Sequence, residues 1–94
     1  MSMTPETAEA TALNVLAWLV SDEDLLPVFM GSTGADQDAL RQGAGDPAFL
    51  GSVLDFMLMD DAWVVRACDA LNMPYQHIAV ARQALPGGAH MHWT

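Results

Sequence analysis

The chain has 94 residues, 52% of them apolar, and a formal net charge of −9 at pH 7. This composition predicts one folded domain, because burial of the apolar side chains can offset the entropy lost on folding. Twelve acidic residues stand against three arginines, and lysine is absent. The charge therefore excludes a nucleic-acid-binding protein, which needs a cationic face, and it argues against binding to anionic membranes.

Location is predicted from what the sequence lacks. The apolar stretches are shorter than the roughly 20 residues of a membrane helix, and the first residues have neither the basic start nor the apolar run of a signal peptide. The single cysteine, Cys68, cannot form an internal disulfide. We therefore expect a soluble protein in the cytoplasm.

Six helices are predicted from capping residues and apolar periodicity. Thr4, Asp24 and Asp46 are suitable N-caps, and prolines follow Thr4 and Asp46 directly. Glycine or asparagine at 34 and 72 is typical of a left-handed helix end. The predicted bounds are 4–21, 24–32, 36–43, 46–59, 62–71 and 74–85, with Pro74 as the first residue of the sixth helix.

The sequence contains a weak internal repeat. A shift of 38 positions places residues 12–40 over 50–78 without a gap, so that Leu16 meets Leu54 and Trp18 meets Phe56. This predicts an all-α fold: a compact bundle of five to six short helices in two similar three-helix halves, with the first and fourth helices packed centrally. We expect a single domain over 1–94, ordered from about 4 to 86, and a loose C-terminal tail at 87–94.

Two acidic clusters are candidates for metal or acid–base chemistry, one at 22–24 and one at 60–61. Both precede an apolar helix, where capping and the helix dipole favour carboxylates. We interpret them as caps. A calcium loop counted from Asp36 fails, because Leu40, Arg41 and Pro47 occupy positions that need an oxygen ligand, glycine and glutamate.

His90-Met91-His92 could hold a transition metal together with His77 and Cys68. Structural zinc sites usually have close ligand pairs on both sides, and this chain offers one pair. No serine elbow and no phosphate-binding glycine pattern is present in the sequence. We therefore expect no metal, no cofactor and no catalytic residues, and hence no enzyme.

Four residues are candidate partner contacts. Trp18 and Phe56 lie off the main apolar stripe of their helices, and Met59 and Met73 are candidates for an exposed patch. The leading hypothesis is a non-enzymatic protein–protein interaction module, either a homodimer or an adaptor. The alternative is a small-molecule or metal-binding protein with a pocket between the halves, and a third hypothesis is an acidic antagonist of a basic partner.

Four segments carry a resemblance to a known family. They are Leu-Leu-Pro-Val-Phe at 25–29, Asp-Pro-Ala-Phe-Leu at 46–50, Val-Leu-Asp-Phe-Met-Leu at 53–58 and Asn-Met-Pro at 72–74. From Glu6 to Leu85 the chain resembles domain-of-unknown-function family 3572, uncharacterised proteins found mainly in alphaproteobacteria. The resemblance implies an all-helical fold in a bacterial cytoplasm, and it implies no activity, cofactor or catalytic residue.

Overall fold

The computed structural model describes residues 3–86, which form six α-helices, α1 to α6 in chain order. Their bounds are Pro5–Ser21, Leu25–Thr33, Gln37–Gly43, Pro47–Met57, Asp61–Leu71 and His77–Gln83. These residues contain no β-strand, and the predicted all-α bundle is confirmed. The predicted tail, with His90-Met91-His92, lies outside the described residues.

Side-chain caps fix the start of three helices, and the caps at Thr4 and Asp46 are those that the sequence predicts. The side chain of Thr4 accepts a hydrogen bond from a backbone N–H in the first turn of α1, Asp36 does the same for α3, and Asp46 for α4. Pro5 and Pro47 take the first helical positions, where a missing N–H breaks no intrahelical bond.

The prediction that Asp24 caps α2 is wrong. Asp24 has helical backbone angles and makes no capping hydrogen bond, whereas Asp22 Oδ1 accepts the N–H groups of Asp24 at 3.0 Å and Leu25 at 2.9 Å. The reason is that the backbone is extended at Asp22, as an N-cap requires. One residue therefore ends α1 and caps the next turn, as Asp60 caps α5.

The predicted bounds of α4 and α6 are too long. Helix α4 ends at Met57, and α6 begins at His77 instead of Pro74. The N–H of His77 donates to the carbonyl of Pro74 at 3.0 Å, which closes a turn before the helix. The Tyr75 hydroxyl donates to Asp69 on α5 at 2.8 Å and holds this turn against the end of α5.

Helices α1 and α4 make the most extensive contact between any two helices and form the centre of the bundle, as predicted. Helices α5 and α6 also pack on α1, while α3 packs on α4. The core is completed by large side chains that are almost fully buried. These are Phe29, Leu19, Leu50, Leu54, Met57, Ile78, Val15 and Val53.

The expectation that Phe56 lies exposed is wrong, because its side chain is only 3% exposed. Its ring stacks on Trp63 with centroids 4.7 Å apart and meets the ring of Phe29 edge-on at 5.1 Å. Helix α4 is apolar on almost every side. The face that lies outside its main apolar stripe carries Phe56 and is covered by α2 and α5.

Several features recur at the spacing of the predicted repeat. Gly34 and Asn72 are the two described residues with positive φ, and their N–H groups donate to the carbonyls of Met30 and Cys68. Buried positions recur as well. The pairs are 12 and 50, 15 and 53, 16 and 54, 19 and 57, 29 and 67, 40 and 78, and 43 and 81. These agreements support the duplication, which stays a prediction.

Candidate functional site

An apolar groove lies open to solvent between α1, α2 and α3. Its volume is about 320 Å³. We call it the α1–α3 groove and define it by seven lining residues. They are Leu16, Val20, Leu26, Gln37, Leu40, Arg41 and Ala44. Five of these are apolar, so the groove is a hydrophobic surface with two polar side chains beside it.

The groove exists because α3 packs on α4 and makes little contact with α1. Leu16 and Leu40 are nearly buried, whereas Val20 is 45% exposed. Leu13, which is 40% exposed, extends the apolar surface along α1, since positions 13, 16 and 20 share one helical face. Leu13 and Val20 are therefore exposed on one face of α1, with Val20 in the groove lining and Leu13 beyond it.

In the second half of the chain, a buried ion pair involves the residue that corresponds to Ala44 of the groove. Arg82 lies there with 7% exposure; its Nε donates to Asp55 at 2.6 Å and its Nη1 to the carbonyl of Pro86 at 3.1 Å. In the 38-residue register, Ala44 takes the place of Arg82 and Ala17 that of Asp55. Two small apolar residues thus replace the ion pair, which leaves the groove without an internal side chain to fill it.

Exposed acidic residues lie close in sequence to the lining of the α1–α3 groove. They are Glu23, Asp36, Asp38 and Asp46, each within three residues of a lining position, and we call them the acidic surround. Of the lining residues only Arg41 is cationic, and its guanidinium lies 4.0 Å from the Asp38 carboxylate. The groove is therefore an apolar surface on segments of the chain that are rich in carboxylates.

A second, shallow recess of about 420 Å³ lies at the C-terminal end of α5. It is lined by Cys68, Asp69, Asn72, Met73, Pro74 and Tyr75. The hydrogen bond to Asp69 and its negative charge raise the pKa of Tyr75, and burial, with the same charge, raises the pKa of the Cys68 thiol. Both groups are therefore held in their protonated forms, which are poor nucleophiles.

The candidate contact residues do not form one surface. Trp18 is half-buried against the core, with the Arg66 guanidinium carbon 5.8 Å from its ring centroid. Met73 is half-buried in the recess, and Met59 lies 71% exposed in the link between α4 and α5. Phe56 is buried, so it offers no accessible contact area.

The acidic clusters have structural partners. The pKa of Asp22 is lowered, chiefly by the N–H of Leu25 and further by the N–H of Asp24 and the Arg66 guanidinium, 2.6 Å away. His77 Nε2 lies 3.3 Å from the hydroxyl of Thr11 and so links α6 to α1. Within residues 3–86, no three histidine, cysteine or acidic side chains come together as a metal-binding group.

Sequence reasoning missed the α1–α3 groove. None of its seven lining residues is among the four partner contacts predicted from the sequence. The signal that could have found it is the repeat alignment, in which Ala17 and Ala44 stand opposite an aspartate and an arginine. Those substitutions remove an ion pair from one half only.

Comparison with known proteins gives one family. The family described as "Protein of unknown function (DUF3572)" matches residues 5–88, most of the chain. No curated protein matches, and no solved structure does. None of the helices described for residues 3–86 has the length and apolar character needed to cross a membrane.

Proposed function

Because the chain belongs to the DUF3572 family, whose description assigns no activity, we propose a function from its surface: a non-enzymatic protein-interaction module. The observation that carries this proposal is the α1–α3 groove, an open apolar surface that no side chain of the described residues fills. As part of the same proposal the protein acts in the cytoplasm, where its lone Cys68 stays reduced.

An apolar groove between helices is a common recognition surface for helical segments. Burying Val20 and Leu13 against a partner would remove apolar area from water, which is the main driving force of association. Contiguous exposed apolar surface beside polar residues is also typical of interaction sites. The groove fits this class better than the four residues proposed from the sequence, which are dispersed or buried.

The alternative, a small-molecule or metal-binding protein, has less support. A ligand pocket usually presents convergent polar groups in an enclosed cavity. Here the groove is formed by α1 to α3 and the recess by the end of α5 and the turn after it, so each lies within one half. In the described part of the chain, every buried side-chain nitrogen or oxygen has a hydrogen-bond partner.

The proposal is tested by comparing two matched valine substitutions. Val20→Gln places an amide in the groove, and Val65→Gln makes the same change on α5, where the side chain is 37% exposed. Each full-length variant is used to capture proteins from an extract of the source organism, with quantification by mass spectrometry. We expect a bound protein to be depleted at least fivefold by Val20→Gln and retained by Val65→Gln. Equal recovery with both variants contradicts a role for the groove.

A further inference from the structure

We propose that the α1–α3 groove binds a basic amphipathic helix of a partner protein, with the apolar face of that helix in the groove and its Lys and Arg side chains over the acidic surround. This inference rests on the proposed function and names the partner's chemistry. It follows from the shape of the groove, from the charge of the chain around it and from the residues that stand at the equivalent positions in the second half.

The shape of the groove favours a helix. Its apolar lining comes from three helices, with Leu16 and Val20 on one side, Leu40 and Ala44 on the other and Leu26 on α2. A partner helix presents apolar residues every three or four positions along one face, and these can follow such a channel. Leu13 lies about one turn further along α1. A second apolar side chain of the partner helix can therefore contact it.

The charge around the groove selects a basic partner. The four carboxylates of the acidic surround outnumber the one arginine of the lining, Arg41 lies near Asp38, and the whole chain carries a net charge of −9. The other two arginines are bound elsewhere, Arg66 to Asp22 and Asp24 and Arg82 to Asp55. Cationic side chains at the edges of a docked helix would meet complementary potential, which speeds association and rejects acidic partners.

The same charge argues against a second copy of this chain. The protein carries a net charge of −9, and a symmetric contact through the groove would bring its acidic surround against an identical one. Like charges brought together at an interface are destabilising. A homodimer through this surface is therefore the less favourable occupant.

Comparison with the second half of the chain indicates which kind of partner side chain suits the floor of the groove. There the guanidinium of Arg82 lies over Gly51, because a Cβ at that glycine would be 3.0 Å from Nη1. In the 38-residue register Leu13 replaces Gly51, and Ala17 and Ala44 replace Asp55 and Arg82. The first half thus lacks both the buried cation and the carboxylate that pairs with it. An apolar anchor suits its floor, and the partner's cations belong at the edges.

The test uses three synthetic peptides of equal length with the full-length protein. One carries leucines on one helical face flanked by lysines, the second has glutamates in place of the lysines, and the third is a scrambled lysine peptide that lacks the apolar face. Affinities are measured by isothermal titration calorimetry at 50 and 200 mM NaCl. We expect the first peptide to bind about tenfold or more tightly than either of the others, with affinity falling severalfold at the higher salt concentration.

Two pairs of variants locate the binding. Val20→Gln should weaken the lysine peptide about fivefold or more, while Val65→Gln changes its affinity less than twofold. The double change Glu23→Gln with Asp38→Asn should weaken it severalfold, whereas Glu6→Gln with Asp61→Asn removes the same charge elsewhere and should not. Circular dichroism of each variant checks that the fold is intact.

Four results would overturn the inference. Equal binding of the intact and scrambled lysine peptides would mean non-specific charge attraction, and preference for the glutamate peptide would reverse the partner's charge. Self-association in sedimentation velocity that Val20→Gln abolishes would make the occupant a second copy. If no peptide binds but capture still depends on Val20, the interaction module stands and the basic-helix partner is wrong.

Discussion

Gly34 and Asn72 end the second helix of each half in the same way, and they lie 38 positions apart in the sequence. Both have left-handed backbone angles, with φ of 73° at Gly34 and 57° at Asn72. Each donates its N–H to a carbonyl four residues earlier and so satisfies a group that the helix end leaves unpaired. The two residue types are those that enter this conformation at least cost.

Substitution of Gly34 tests this helix end. A Cβ at Gly34 meets no atom within 4 Å, so only the backbone conformation opposes Gly34→Ala. We expect a loss of about 1 kcal/mol in the free energy of unfolding, measured by urea denaturation. Gly31→Ala is the control, because Gly31 lies inside α2 in open space and should gain about 0.5–1 kcal/mol. Equal effects of the two changes would contradict the left-handed cap.

The contributions of Asp55 and Arg82 to the free energy of unfolding should be strongly coupled. Arg82 is almost enclosed, so Asp55→Ala leaves a buried charge without its carboxylate and should cost about 2 kcal/mol. The double variant Asp55→Ala with Arg82→Met should be less destabilised than the two single changes added together, by about 1 kcal/mol or more. The control is Asp38→Ala, which breaks the exposed 4.0 Å pair with Arg41 and should cost less than about 0.5 kcal/mol.

Truncation of Phe56 should lower the free energy of unfolding as much as truncation of a core residue does. Phe56→Ala removes the ring that stacks on Trp63 and touches Phe29, and we expect it to cost about 3–4 kcal/mol. The tryptophan fluorescence of the folded protein should change as well, because Trp63 loses its stacking partner. Met59→Ala, at a site that is 71% exposed, should cost less than about 0.5 kcal/mol. An equally small effect of Phe56→Ala on the free energy of unfolding would contradict the burial of Phe56.

The Asp22 carboxylate should make the free energy of unfolding fall at acid pH. Its folded-state pKa lies below the ordinary value of 3.8, chiefly because the carboxylate accepts the N–H of Leu25. The stabilising effect is therefore fully present above about pH 3.8 and is lost as the pH falls through the lower folded-state pKa. Asp22→Asn keeps an oxygen acceptor but loses the charge, so its deficit relative to the native protein should shrink from pH 5 to pH 2.

Urea denaturation at each pH measures this deficit, and Asp38→Asn is the control. Asp38 is exposed and makes one long contact, so its substitution should change the free energy of unfolding by less than about 0.5 kcal/mol throughout. A constant deficit for Asp22→Asn across the range would mean that its charge does not stabilise the fold.

The helices and most of their ends follow from local sequence, because caps act over three or four residues. Asp36, Asp46 and Asp60 bond N–H groups in the turn that follows them, and Gly34 needs no distant partner to adopt its conformation. Such interactions are complete within one segment of the chain, so the residue types suffice to predict them.

Which apolar side chains face water depends on how the helices pack together. Phe56 and Val20 both lie on strongly apolar helices, yet α2 and α5 cover the first while α3 leaves the second open. Burial depends on which neighbours pack on each helical face, and those neighbours come from distant parts of the chain. The partners of Arg82 and Asp22, 27 and 44 residues away from them, were beyond the sequence for the same reason.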